Sequence, residues 1–175
     1  MVLKSFNAIK EKNKVLICNN MRVELQLDFP GRVRLRKWFD VQKFFVQRFK
    51  NKYKPPHYIF DYKTISGEEL SLRISAADVV MVPRIDILNS GNVFLGFTFG
   101  KVTVGPATGN IKEQLLEQNC PIFDPNSLTS AASALKEGVK MSRIAGIEGG
   151  KSLLKYLPEN ISAQYDQLFL RISNE

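Results

Sequence analysis

Glu68–Glu113, EELSLRISAADVVMVPRIDILNSGNVFLGFTFGKVTVGPATGNIKE, is the stretch whose reading decides the fold. Within it DVVMVP (78–83) and KVTVGP (101–106) are apolar runs of strand length, with helical patterns before and between them. Strands that alternate with helices argue for βαβ units and a parallel sheet. Outward from this core, KVLIC (14–18), HYIFDY (57–62) and CPIF (120–123) repeat the rhythm. The expected fold class is therefore α/β, a parallel sheet flanked by helices, built as one domain over residues 1–175.

Capping chemistry marks where helices begin. Ser66 with Glu69, and Asn110 with Glu113, each set a capping side chain three residues before an acid that can reach back to it. Leu128, Ala131, Leu135 and Val139 form one apolar stripe on a helix opening near Asn126. Gln164–Ile172 reads as a last helix with Tyr165, Leu168 and Phe169 facing inward.

The segment 21–54 departs from this rhythm. Arg22–Phe29 alternates strictly between polar and apolar residues and reads as a half-exposed strand, joined to the preceding strand by a tight hairpin at Asn19 and Asn20. After Pro30 and Gly31, the residues Leu35, Trp38, Phe39, Gln42, Phe45, Val46 and Phe49 fall at helical spacing, which predicts a helix over 32–50. Between Met21 and Lys54 stand ten Lys and Arg against three Asp and Glu, a local net of +7 out of the formal +8 for the chain. Such asymmetry points to an anionic partner. For the helix itself two readings stand. It lies on an anionic membrane surface with Trp38, Phe44, Phe45 and Phe49 at the headgroup boundary, or it packs on the sheet with a solvated basic back. Nucleic acid is not expected as a partner, because no nucleic-acid-binding module is present.

Bulk properties exclude several classes. With 175 residues, 44% hydrophobic and 24% charged, the chain has the makeup of an ordinary globular domain. No apolar run approaches the roughly 18 residues needed to span a bilayer, and the N-terminal MVLKSFNAIKEKNK is too charged for a signal peptide. Cys18 and Cys120 sit in apolar runs without a CxxC pair, and His57 is the single histidine, so neither a disulfide framework nor a metal site is expected.

In open parallel sheets ligands bind beyond the carboxyl ends of the strands. The residues after DVVMVP, Arg84 to Asn92, lead straight into the apolar helix VFLGFTF. Asn89, Ser90, Gly91 and Asn92 thus fall at its first turn, where free N–H groups and the helix dipole suit a diphosphate. The alternative is that Ser90 is an N-cap and Gly91 a turn residue. Ala145–Ser152 (AGIEGGKS) fits a loose triphosphate-loop pattern, but it follows a helical stretch rather than a strand and reads as a glycine-rich turn.

The same run resembles the donor-binding half of retaining family-four (group 1) glycosyltransferases with two Rossmann domains. The similarity keeps its order: Ala76-Ala77-Asp78 closing a helix, a strand ending at Pro83, a helix with Gly100, a short strand, and Gly109-Asn110-Ile111-Lys112-Glu113, which looks like the family's Gly-Gly-Ile-Pro-Glu loop. The resemblance implies a Rossmann-like sheet. It also implies a nucleoside-diphosphate sugar as donor substrate, with no further cofactor. The diphosphate would lie at Asn89–Asn92 with Arg84 as a nearby cation, and the sugar and nucleotide near Tyr62, Lys63, Asp86, Gly109, Asn110 and Glu113. Two family glutamates fall here at Ile87 and Leu95, and the chain begins within what would be the first helix, after the strand and loop that supply the family's catalytic Arg and Lys. No catalytic residue is assigned. The resemblance implies instead a fragment lacking its first, central strand, with an N-terminal acceptor domain or partner chain elsewhere, at the cytoplasmic face of a membrane. The second reading is a non-catalytic sugar-nucleotide or membrane-surface adaptor.

Overall fold

Val102–Pro106 is buried at every residue, as a central parallel strand must be when both of its faces are covered. In the computed structural model, residues 1–19, 34–36, 39–85, 88–144 and 157–173 are described; of 34–36 and 39–43 only the backbone is. The chain divides into two compact units, Met1–Lys10 with Ser71–Glu175, and Glu11–Leu70.

The larger unit is built on a three-stranded parallel sheet. Its strands will be called β5 (Val79–Met81), β6 (Val102–Pro106) and β7 (Ile122–Phe123), in the order β5-β6-β7. Helices α4 (Gly91–Thr98) and α5 (Gly109–Glu117) bring Val93, Phe97, Ile111 and Leu115 into a cluster with Val82 and Cys120. Helix α6 (Leu128–Ile144) buries Ala131 and Ala134 against Val104 and Phe123. Two glycines permit these close approaches. A Cβ on Gly96 would collide with the Thr103 hydroxyl, and one on Gly138 would stand 2.8 Å from Val104 Cγ2. Helix α1 (Val2–Ala8) buries Phe6 and packs against α6.

Within α6 the buried face is Ala131, Ala134, Leu135 and Gly138, so of the expected stripe Ala131 and Leu135 are buried and Val139 half-buried, small residues fill the rest of the face, and Leu128 is exposed. The helix is capped at Ser127, whose Oγ accepts the Ser130 N–H at 3.1 Å. The Asp124 carboxylate folds the preceding turn by accepting the Asn126 N–H at 2.9 Å.

The smaller unit holds a parallel pair, β1 (Leu16–Cys18) with β4 (Tyr58–Phe60), in register Leu16↔Tyr58 through Cys18↔Phe60. Helix α2 (Val41–Lys52) covers one face of it: the Phe49 ring stacks on Phe60 at 5.7 Å and Tyr53, just past the helix, meets Tyr58 edge-on at 5.1 Å. The other face exposes Ile17 and Ile59. The five apolar runs read as strands of the parallel sheet are thus present, and they hydrogen-bond as two small parallel sheets. Helix α3 (Gly67–Ala76) starts as expected at Ser66, whose Oγ accepts the Glu69 N–H at 3.2 Å.

Three expectations are corrected. Arg34–Arg36 (β2) and Phe39–Asp40 (β3) form an antiparallel pair, so the helix expected over 32–50 begins only at Val41. Arg32-Val33-Arg34-Leu35-Arg36 also alternates with period two, and that local pattern prevails over the helical spacing extended backward from Phe49. The last helix, α7 (Pro158–Ser173), leaves Tyr165 57%, Leu168 49% and Phe169 62% exposed rather than inward. An amphipathic stripe defines an apolar side without supplying a surface to cover it. Helix α5 starts at Gly109 with Thr108 as N-cap, so Asn110 and Glu113 do not form a capping box. The strand expected over 22–29 and the glycine-rich turn 145–152 lie outside the described residues.

Candidate functional site

The loops that leave β5 and β6 meet at the amino ends of α4 and α5. Ser90, in extended conformation, caps α4: its Oγ accepts the Asn92 N–H at 3.4 Å, and the Val93 N–H bonds to the Ser90 carbonyl at 3.1 Å. One residue earlier, Asn89 Oδ1 accepts the Ser90 N–H at 2.8 Å. The N-cap reading of Ser90 is therefore realised in the structure. The space around Gly91 is open, for a Cβ there would meet nothing within 4 Å. That leaves room for a group approaching the first turn along the backbone.

Across the site the Asn110 N–H donates to the Leu88 carbonyl at 2.9 Å. This link depends on Gly109, whose φ of +48° is left-handed and whose Cβ, if it had one, would stand 2.7 Å from the Leu88 oxygen. Behind the two loops Gln114 is 2% exposed and its Nε2 approaches Asn89 Oδ1 at 3.5 Å. Its Oε1 and the Thr108 hydroxyl are buried with no partner among the described residues. Buried polar groups are normally satisfied, so these two atoms mark the interior of the site as its least settled part.

The structure brings together Asn89, Ser90, Gly91 and Asn92 with Gly109 and Asn110, all expected site residues. Arg84 and Glu113 are exposed, Arg84 just beyond β5 and Glu113 on the outer side of α5. Asp86 lies outside the described residues. Tyr62 and Lys63 belong to the other unit, where Lys50 Nζ lies 4.7 Å from the Tyr62 ring centroid and partial burial pushes the Tyr62 phenol above its ordinary value.

Three participants went unnoticed in the sequence: Leu88, Thr108 and Gln114. Gln114 had a signal, being a polar residue between Ile111 and Leu115 on the buried side of α5. Leu88 acts through its carbonyl, which no side-chain pattern reveals.

Among the described residues no group of His, Cys, Asp and Glu could hold a metal ion, and both cysteines are free. No helix among them is long and apolar enough to cross a membrane. The protein is of the α/β class, with small parallel sheets flanked by helices and with two helix amino ends meeting beyond one of them. The sequence matches no family model and no curated protein.

Proposed function

We propose that this chain is the donor-binding part of a glycosyltransferase with a Rossmann-like fold, holding a nucleoside-diphosphate sugar for transfer to a polysaccharide or lipid-linked acceptor. The observation that carries the reading is the meeting of Leu88–Asn92 with Gly109–Gln114 beyond the carboxyl ends of β5 and β6, joined by the 2.9 Å bond from Asn110 to Leu88. Ligands of open parallel sheets bind at such ends, and two helix amino ends facing one place favour a diphosphate. The strand pairing supports the same fold. In the larger unit β5, β6 and β7 pair in parallel in chain order with a helix between successive strands, and in the smaller unit β1 pairs in parallel with β4, as βαβ units require.

In this reading the diphosphate lies against the first turn of α4, and the sugar lies near Gly109 and Asn110. Gln114 and Asn89 hold the loop rather than react. Stabilising charge on a leaving diphosphate takes cations or further donors, which the resemblance assigns to the loop after the family's first strand in this domain, while the acceptor is held by an N-terminal domain or partner chain. The second reading, a non-catalytic sugar-nucleotide adaptor, is favoured by Leu95: half-buried on α4, it stands where the family places a glutamate.

Titration calorimetry of the chain with UDP, GDP and their sugars tests the proposal. Saturable binding with one site supports it, and no heat from any of them at millimolar concentration overturns it. Binding without any hydrolysis or transfer, even when an acceptor domain is supplied, selects the adaptor.

A further inference from the structure

Gln114 carries a polar group of which the fold uses only one end. It lies on α5 between the fully buried Ile111 and Leu115 and is itself 2% exposed. Its amide has one orientation. Asn89 Oδ1 already accepts the Ser90 N–H at 2.8 Å, so the end of Gln114 that approaches this oxygen at 3.5 Å is the NH2. The Oε1 end is left buried, with no partner among the described residues. Thr108 repeats the pattern at the start of the same helix. It is the N-cap of α5, yet its hydroxyl makes no capping bond and is likewise buried without a partner among the described residues. A threonine in that place ordinarily accepts an amide of the first turn. An oxygen buried without a hydrogen bond costs stability that an apolar side chain of the same shape would not.

We propose that Gln114 Oε1 determines which ligand the site takes, by accepting a hydroxyl hydrogen from the sugar of the donor, with the Thr108 hydroxyl as a second partner for that sugar. The inference rests on the donor-binding reading and adds to it the kind of group recognised. An amide oxygen only accepts, so it selects an O–H donor and offers nothing to a phosphate or carboxylate oxygen. The anionic part of the ligand therefore goes to the amides of α4, and its hydroxyl-bearing part to α5. Entry asks for a small rearrangement. The 3.5 Å contact between Gln114 and Asn89 is long for a hydrogen bond, and Leu88, next to Asn89, is 81% exposed and adds little packing.

Calorimetry of the full chain with UDP, UDP-glucose, GDP and GDP-mannose, repeated for Gln114→Met, tests the assignment. Methionine matches the unbranched shape of glutamine and removes both polar ends of the amide. The loss of affinity in Q114M should be about threefold to tenfold larger for the nucleotide sugar than for its bare nucleotide. Among monodeoxy analogues of the sugar that binds, one should lose affinity for the wild-type protein by the same factor and should lose no more in Q114M, since the two changes remove one interaction. Gln114→Leu serves the same comparison if methionine prevents folding. Equal losses for nucleotide and nucleotide sugar overturn the inference and leave the donor-binding reading standing, as do monodeoxy analogues that all bind like the parent. No heat from any of these ligands with the wild-type protein overturns both.

Discussion

Replacing Gly109 by alanine tests the candidate site at the point where backbone conformation and loop contact coincide. The φ of +48° places an alanine in the left-handed region, which costs about 1–2 kcal/mol for a residue with a Cβ. The new Cβ would stand 2.7 Å from the Leu88 oxygen and 2.9 Å from Leu88 Cα, so the loop must retreat. Retreat breaks the hydrogen bond from Asn110 to Leu88, a further loss of about 0.5–1.5 kcal/mol. Together these amount to about 1.5–3.5 kcal/mol, or about 3–14 °C in melting temperature for a chain of this length. Gly91→Ala is the matched control. Nothing lies within 4 Å of its Cβ, so it should be neutral or stabilise by up to about 1 kcal/mol. Urea unfolding followed by far-UV circular dichroism reads both. A G109A protein within about 0.5 kcal/mol of wild type would refute the strain and the loop link alike. A destabilised G109A that still bound nucleotide sugars with wild-type affinity would leave the structure intact and remove the support for the donor site.

Further substitutions probe the packing, the thiol and the cap. Gly138→Ala gains about 1 kcal/mol of helix propensity but presses a Cβ to 2.8 Å from the stiff, β-branched Val104, an overpacking cost of about 1–3 kcal/mol, so urea unfolding should show no gain and a net loss of up to about 2 kcal/mol. Burial pushes the Cys120 thiol above its ordinary 9.0, against a smaller downward pull from a hydrogen bond with the Thr103 backbone. The thiol is thus neutral in the folded state. Its contribution to stability is full below pH 9.0 and is lost as pH rises beyond it, so melting temperature should fall above that point, and fall less in C120A. Ser90→Ala should cost about 1 kcal/mol of stability as a lost cap, with nucleotide affinity in calorimetry changing by less than about threefold; a loss of about tenfold or more, about 1.4 kcal/mol, would make the hydroxyl itself a ligand.

The strands were legible because each is a short apolar run bounded by polar or turn residues, and β6 was the clearest, being buried on both faces. Their division between two sheets was not. Strand pairing is a choice among long-range hydrogen-bond partners, and apolar runs such as KVLIC and DVVMVP are nearly interchangeable in that choice. The first turn of α4 was legible because Ser-Gly-Asn before an apolar helix carries a capping signature. The start of α5 was not, since Gly109 adopts a left-handed conformation that moves the cap back to Thr108 and frees Glu113 from any capping role. Gln114 shows a different limit. Its place on the buried side of α5 was readable, while its approach to Asn89, twenty-five residues earlier, belongs to the tertiary fold.

The caps at α4 narrow where an anion can sit. Asn89 Oδ1 holds the Ser90 N–H at 2.8 Å, a well-formed bond whose acceptor is also approached by Gln114, so displacing it would leave a buried amide without its partner. The bond from Asn92 to Ser90 Oγ is 3.4 Å long and correspondingly weak. A charged acceptor gains about 1.5–3 kcal/mol from an amide N–H, against about 1 kcal/mol for the hydroxyl cap. A phosphate arriving at this turn therefore outcompetes Ser90 for the Asn92 amide and does not outcompete Asn89 for the Ser90 amide. With Asn110 already committed to Leu88, the amides of Gly91 and Asn92 are the donors on which a diphosphate would rest, and Asn89 and Asn110 become the residues that hold the two loops in place.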